Sequence, residues 1–132
     1  MNETSLTCAD DPPGAAIMLN RAALILRYKQ PFVDWINATD SSLSSHPLTL
    51  AEINQEHTVY LVEVEDEDEL ADWLARHHQE LFEEELNGWY TDPSLWPRDR
   101  SLEMLKQWCS FELHTVVVDT GRSPLEDAEF LE

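Results

Sequence analysis

Three short runs rich in apolar and β-branched residues constrain this chain more than any other feature: Ala22 to Tyr28 (AALILRY), His57 to Val64 (HTVYLVEV) and Phe111 to Asp119 (FELHTVVVD). They read as strands. Between them lie segments of helical character. Pro31 suits the first turn of a helix that carries Phe32, Val33, Trp35 and Ile36, and Asn37 to Ser45 is the polar loop that ends it. Thr49 with Glu52 three residues on is a capping-box pattern, so LTLAEIN makes one short helical turn. The acid run Glu65 to Glu69 opens the longest helix, which is expected to reach about Asn87, with Gly88 placed to stop it. Ser101 then caps a helix bearing Leu102, Leu105, Trp108 and Cys109. The order β-α-β-α-α-β predicts an α/β or α+β fold, with helices covering a small three-stranded sheet. It leaves strand order and direction open.

The 132 residues correspond to one domain, large enough to bury roughly two-thirds of the unfolded surface. Residues 1–20 are expected to form a flexible tail, 21–119 the globular domain and 120–132 an acidic tail. The formal charge is -19; each tail carries -3, so -19 + 6 leaves -13 on residues 21–119. Acidity therefore belongs to the folded part. With only eight Lys and Arg, binding to duplex nucleic acid is disfavoured, and a basic protein is the natural partner if the charge serves binding rather than solubility. Cys8 lies in a polar segment and Cys109 in an apolar one, an arrangement that predicts no disulfide and fits a reducing cytoplasm. No uncharged apolar run of membrane-spanning length occurs, and the first residues lack a basic-then-apolar leader pattern.

The elements RAALILRYKQPFVDWIN, VYLVEVEDEDELADWL, EEELNGWYTDPSLWPRDR and SLEMLKQWCSFELHTVVVD together resemble a family of small bacterial proteins that share K-Q-P-F-x-D-W, E-E-x-L-x-G-W-Y-x-D and W-P elements. The similarity runs from about Arg21 to Asp119. That family has no established activity, so the resemblance implies domain limits and transfers no functional residue. One departure stands out: Tyr28 occupies the place beside Lys29 where proline is expected.

Candidate sites emerge from residue chemistry. On the long helix, Leu70, Trp73, Leu74, Leu81 and Leu86 form an apolar stripe, interrupted by His77 and His78. Each histidine lies seven residues, about 10 Å along the axis, from Glu84 or Glu85, too far for one ion. A structural role is the simpler reading: His77 sits at the core edge, and Glu84 or Glu85 accepts from backbone amides of the following loop. No metal or cofactor is implied, for there is no P-loop, no G-x-G-x-x-G and no G-x-S-x-G among three glycines. Glu63 to Glu85 holds eleven carboxylates against Arg76 alone. The loop Gly88 to Arg100 (GWYTDPSLWPRDR) packs aromatics and prolines into irregular backbone. Its Trp89, Tyr90, Asp92, Trp96 and Arg98, with Glu85, compose a candidate binding set: aromatic walls with a carboxylate and a guanidinium at the rim. The alternative is that its tryptophans are anchors driven into the core.

Two functions are compatible with these features. The first is a non-enzymatic cytosolic module that contacts another protein through the aromatic loop and acidic helix. The second is a small-molecule-binding protein or enzyme with an acid-base site around the same loop, drawing on Glu85, Asp92, Arg98 and His114; Lys29 and Asp34 are further candidates. A mimic of nucleic-acid charge is a third possibility. Converging ionisable groups in a cleft would favour the second, and a flat apolar patch rimmed by charge the first.

Overall fold

Strand β2 (Ala22–Tyr28) is the centre of the molecule because both of its edges are paired: β3 (Thr58–Val62) on one side and β4 (Cys109–His114) on the other, each antiparallel. The computed structural model describes residues 17–126. Alternation along β2 places Ala22, Leu24 and Leu26 on one face, fully buried, and Ala23, Ile25 and Arg27 on the other. Register carries the pattern sideways. Leu24 faces Tyr60 and Leu113, while Ile25 faces Val59 and Glu112. The fold is thus α+β, with a three-stranded antiparallel sheet in the order β3-β2-β4.

Helices fill the inner face. α1 (Gln30–Thr39) starts one residue after Lys29 with Pro31 in its first turn, and it buries Phe32, Val33 and Ile36. After a 3₁₀ turn at Ser41–Leu43, α2 (Leu50–Ile53) has the expected capping box: Thr49 accepts from the Glu52 amide and Glu52 accepts from the Thr49 amide. α3 (Glu67–Trp89) is capped by Asp66 and carries Glu67, Asp68 and Glu69 in its first turn, where they oppose the positive end of the helix dipole. α4 (Leu102–Trp108) has Ser101 as its cap. Phe32 is the hub of the packing: Tyr28 stacks on it with ring centroids 4.1 Å apart, and Trp35 and Trp108 meet it edge-on at 5.5 Å.

Three expectations need correction. α3 does not stop at Gly88 but continues to Trp89, because the Tyr90 amide still reaches the Leu86 carbonyl and Trp89 packs against the core. The third strand begins earlier and ends sooner than expected; Cys109 belongs to β4, not to the helix, and residues 115–117 break the run. Past this break, β5 (Val118–Asp119) pairs with β1 (Ile17–Met18) in a separate two-stranded ribbon. Residues 17 and 18 are therefore strand, although the expected tail covered 1–20. The rest of that segment, with Cys8, and the end of the acidic tail lie outside the described residues.

Candidate binding site

A cleft of about 530 Å³ opens between the C-terminal half of α3 and the start of β3, with the turn after α2 as its third wall. Its floor is made by Tyr28, Tyr60, Glu85 and Trp89, and Glu52, Glu56 and Glu84 stand around it. Each floor residue is there for a local reason. Tyr28 is four residues beyond Leu24 on β2 and so shares its inward face; Tyr60 is paired with Leu24 across the sheet and faces the same way. Glu85 lies among Leu81, Phe82 and Leu86 on the apolar stripe of α3, which turns it inward although it is charged. Trp89 comes one turn later.

Glu85 is only 5 % exposed, the one buried carboxylate among the described residues. Tyr28 donates to its Oε1 at 2.6 Å and Tyr60 donates to its Oε2, so one hydroxyl serves each oxygen. Trp89 extends the chain by donating its indole N–H to the Tyr28 oxygen at 3.0 Å. Burial pushes both tyrosine hydroxyls well above their ordinary range, and the neighbouring Glu85 charge and hydrogen bond push them further. They stay protonated and act as donors at any physiological pH. Among the described residues no Lys, Arg or His forms an ion pair with Glu85. An ionised carboxylate has about four acceptor positions, and two hydroxyls occupy two of them. Cys109, the cross-strand neighbour of Tyr28, is buried, and burial raises its thiol far above the range of a reactive cysteine.

Of the sequence-predicted set, Glu85 and Trp89 meet in this cleft, and the others do not. Tyr90 donates its hydroxyl to the Ile36 carbonyl at 2.7 Å, and Trp96 donates its indole N–H to the Tyr90 carbonyl at 2.7 Å; both rings are half-buried anchors. Trp35 ties the same loop down by donating to the Leu95 carbonyl at 3.0 Å. Asp92 caps the 3₁₀ turn at Pro93–Leu95, where the amide and hydroxyl of Ser94 hold its carboxyl below the usual range. Arg98 is exposed beside a separate recess of about 260 Å³ shared with His78 and Arg100. His114 pairs with Glu112 on β4, away from Glu85. The expected amide partners of Glu85 are replaced by tyrosines, since its side chain turns toward the sheet. His77 lies tilted against Trp73 with ring centroids 4.8 Å apart and meets Glu80 at 3.1 Å. No cluster of three metal-ligating side chains forms among the described residues.

Sequence reasoning missed Tyr28 and Tyr60. The usable signal was a glutamate inside the apolar stripe of α3 together with tyrosines at inward positions of two strands. Fold and cleft define a small α+β domain with an internal carboxylate presented between aromatic rings. No family model, no curated protein and no solved structure matches the chain.

Proposed function

We propose that the protein is a binding module that receives a positively charged group, an ammonium or guanidinium, in the Glu85 cleft. The observation that carries this reading is the buried carboxylate held between two tyrosine hydroxyls and, among the described residues, ion-paired to no Lys, Arg or His. A buried charge is costly unless paired. A ligand cation supplies the missing charge, and its N–H groups fit the two remaining acceptor positions of Glu85. The rings of Tyr28, Tyr60 and Trp89 add cation–π attraction, while Glu52, Glu56 and Glu84 raise the local concentration of cations.

Recognition suits these groups better than catalysis does. Proton transfer near neutral pH needs a group that titrates there; both tyrosines are shifted away from that range, and His57, which also lines the cleft, makes no hydrogen bond to Glu85 among the described residues. The convergence of ionisable groups in a cleft favours a pocket over a flat protein-binding patch. The decisive experiment titrates the intact protein with n-butylammonium and with 1-butanol, following the Trp89 indole resonance. Binding of the ammonium alone, weakened at least tenfold in Glu85→Gln, is expected. Equal binding of the alcohol, or an unchanged affinity in the variant, refutes the reading.

A further inference from the structure

The cleft does not end at Glu84. A second hollow of about 240 Å³ shares Tyr60 and Glu84 with it and continues along α3 past Leu81 to Trp73, His77 and Glu80. The two compartments form one groove between α3 and β3. Its ends differ in chemistry. The Glu85 end is anionic and aromatic, whereas the Trp73 end has an apolar floor of Trp73, Leu81 and Tyr60. Among the described residues neither compartment is lined by a Lys or Arg.

The strand beside this groove is an open sheet edge. Among the described residues β3 has one hydrogen-bonded neighbour, β2, so its other edge is unpaired. Exposed edges are normally blunted by charge, proline or a bulge. β3 has none of these: it reads TVYLV, and Val59 and Leu61 are 54 % and 46 % exposed. The opposite edge strand is different. β4 carries Glu112 and His114, which join Arg27 in a charged row across the sheet. One edge is guarded and the other, next to the acidic groove, is left ready to pair.

Resting on the cation reading above, we infer that the ligand is a basic segment of another polypeptide that adds to β3 as an extended strand. It places a Lys or Arg on Glu85 and an apolar side chain in the Trp73 compartment. Strand addition draws affinity from main-chain hydrogen bonds and specificity from pockets for alternate side chains. The spacing agrees. From Glu85 back to His77, midway between the floor residues Trp73 and Leu81, is eight helical residues, about 12 Å, and four residues of extended strand cover about 13 Å. Positions i and i+4 of a strand also point to the same face, so the segment has a basic residue and an apolar residue four apart. The five carboxylates Glu52, Glu56, Glu80, Glu84 and Glu85 along the groove make a basic segment the complementary partner and disfavour a second copy of this acidic chain.

The test uses the full chain and a synthetic ten-residue peptide with Lys and Leu four apart, against a control with the two residues three apart and against n-butylammonium. Two further peptides are N-methylated at alternate residues, one in each phase, because a strand on a sheet edge uses every second N–H. The inference expects the four-apart peptide to bind at least tenfold more tightly than both the control and n-butylammonium. It also expects a tenfold loss in Glu85→Gln and a tenfold loss for one methylation phase but not the other. If n-butylammonium binds in a Glu85-dependent way and the peptide binds no more tightly, or both phases behave alike, strand addition is wrong and the cation reading stands. If nothing binds in a Glu85-dependent way, both fall. A stable dimer in light scattering that the peptide does not dissociate also overturns the inference, since a second copy would then occupy the edge.

Discussion

Replacing Tyr28 with Phe isolates the hydrogen-bond chain that builds the site. The ring stays: its stack on Phe32 at 4.1 Å and its edge contact with Trp89 at 6.2 Å need no hydroxyl. What disappears is one charge-assisted bond to Glu85 and the acceptor for the Trp89 indole N–H. A hydrogen bond to a charged group contributes about 1.5–3 kcal/mol. Leaving a donor without its acceptor costs about 1–3 kcal/mol when fully buried, and Trp89 borders an open cleft where water reaches it, so the lower end applies. The sum is about 2.5–4 kcal/mol, a large share of the ~5–15 kcal/mol typical of a single domain. Tyr60→Phe loses only the bond to Glu85 and should cost about 1.5–3 kcal/mol. Urea unfolding followed by circular dichroism and tryptophan fluorescence measures both, with an unchanged denaturant slope as the sign that the native fold persists. Combined with Glu85→Gln, each substitution should be strongly non-additive, because both act through the same carboxylate. A Tyr28→Phe cost below about 0.5 kcal/mol, or simple additivity with Glu85→Gln, would refute the chain of bonds and the floor of the cleft with it.

The same structure sets two further outcomes. Tyr28 and Tyr60 have folded-state pKa values raised above the unfolded value of about 10, so the stability they contribute is complete below pH 10 and is lost as pH rises beyond it. Their phenolate absorbance at 295 nm should therefore appear together with alkaline unfolding and not before; phenolate signal from all three tyrosines in a chain still folded by circular dichroism would contradict this. Thr49→Ala removes the acceptor of the capping box at α2 and should destabilise the protein by about 1 kcal/mol in urea, while Thr49→Ser restores most of it.

Much of the secondary structure was legible because its signals are local. β2 matches AALILRY residue for residue, the Thr49–Glu52 box forms as read, Ser101 caps α4, and the acid run starts α3. Each depends on side-chain chemistry within a few residues. Boundaries failed where a distant partner took over. Gly88 signals a stop, yet α3 runs through it because Trp89 finds Tyr28 and the core. FELHTVVVD looks like one strand, yet pairing with β2 ends at His114, and Val118 is taken by β1. In the aromatic loop, composition showed that something pins the backbone but not what does: the carbonyls of Ile36, Tyr90 and Leu95 accept from aromatic side chains, and two of these three bonds link residues far apart in sequence.

By itself, then, the amino-acid sequence determined a single acidic domain, its strand and helix content, and the presence of Glu85 and Trp89 among the candidate residues. Tertiary structure alone decided that the sheet is antiparallel in the order β3-β2-β4, and that Tyr28 and Tyr60 converge on Glu85 while Asp92, Arg98 and His114 do not. The physical reason is the difference between periodicity and register. Periodicity tells which residues share a face of one element, and it is written in neighbouring residues. Register tells which faces meet. It is set by packing and pairing between residues such as Tyr28 and Glu85, 57 positions apart, which no local pattern encodes.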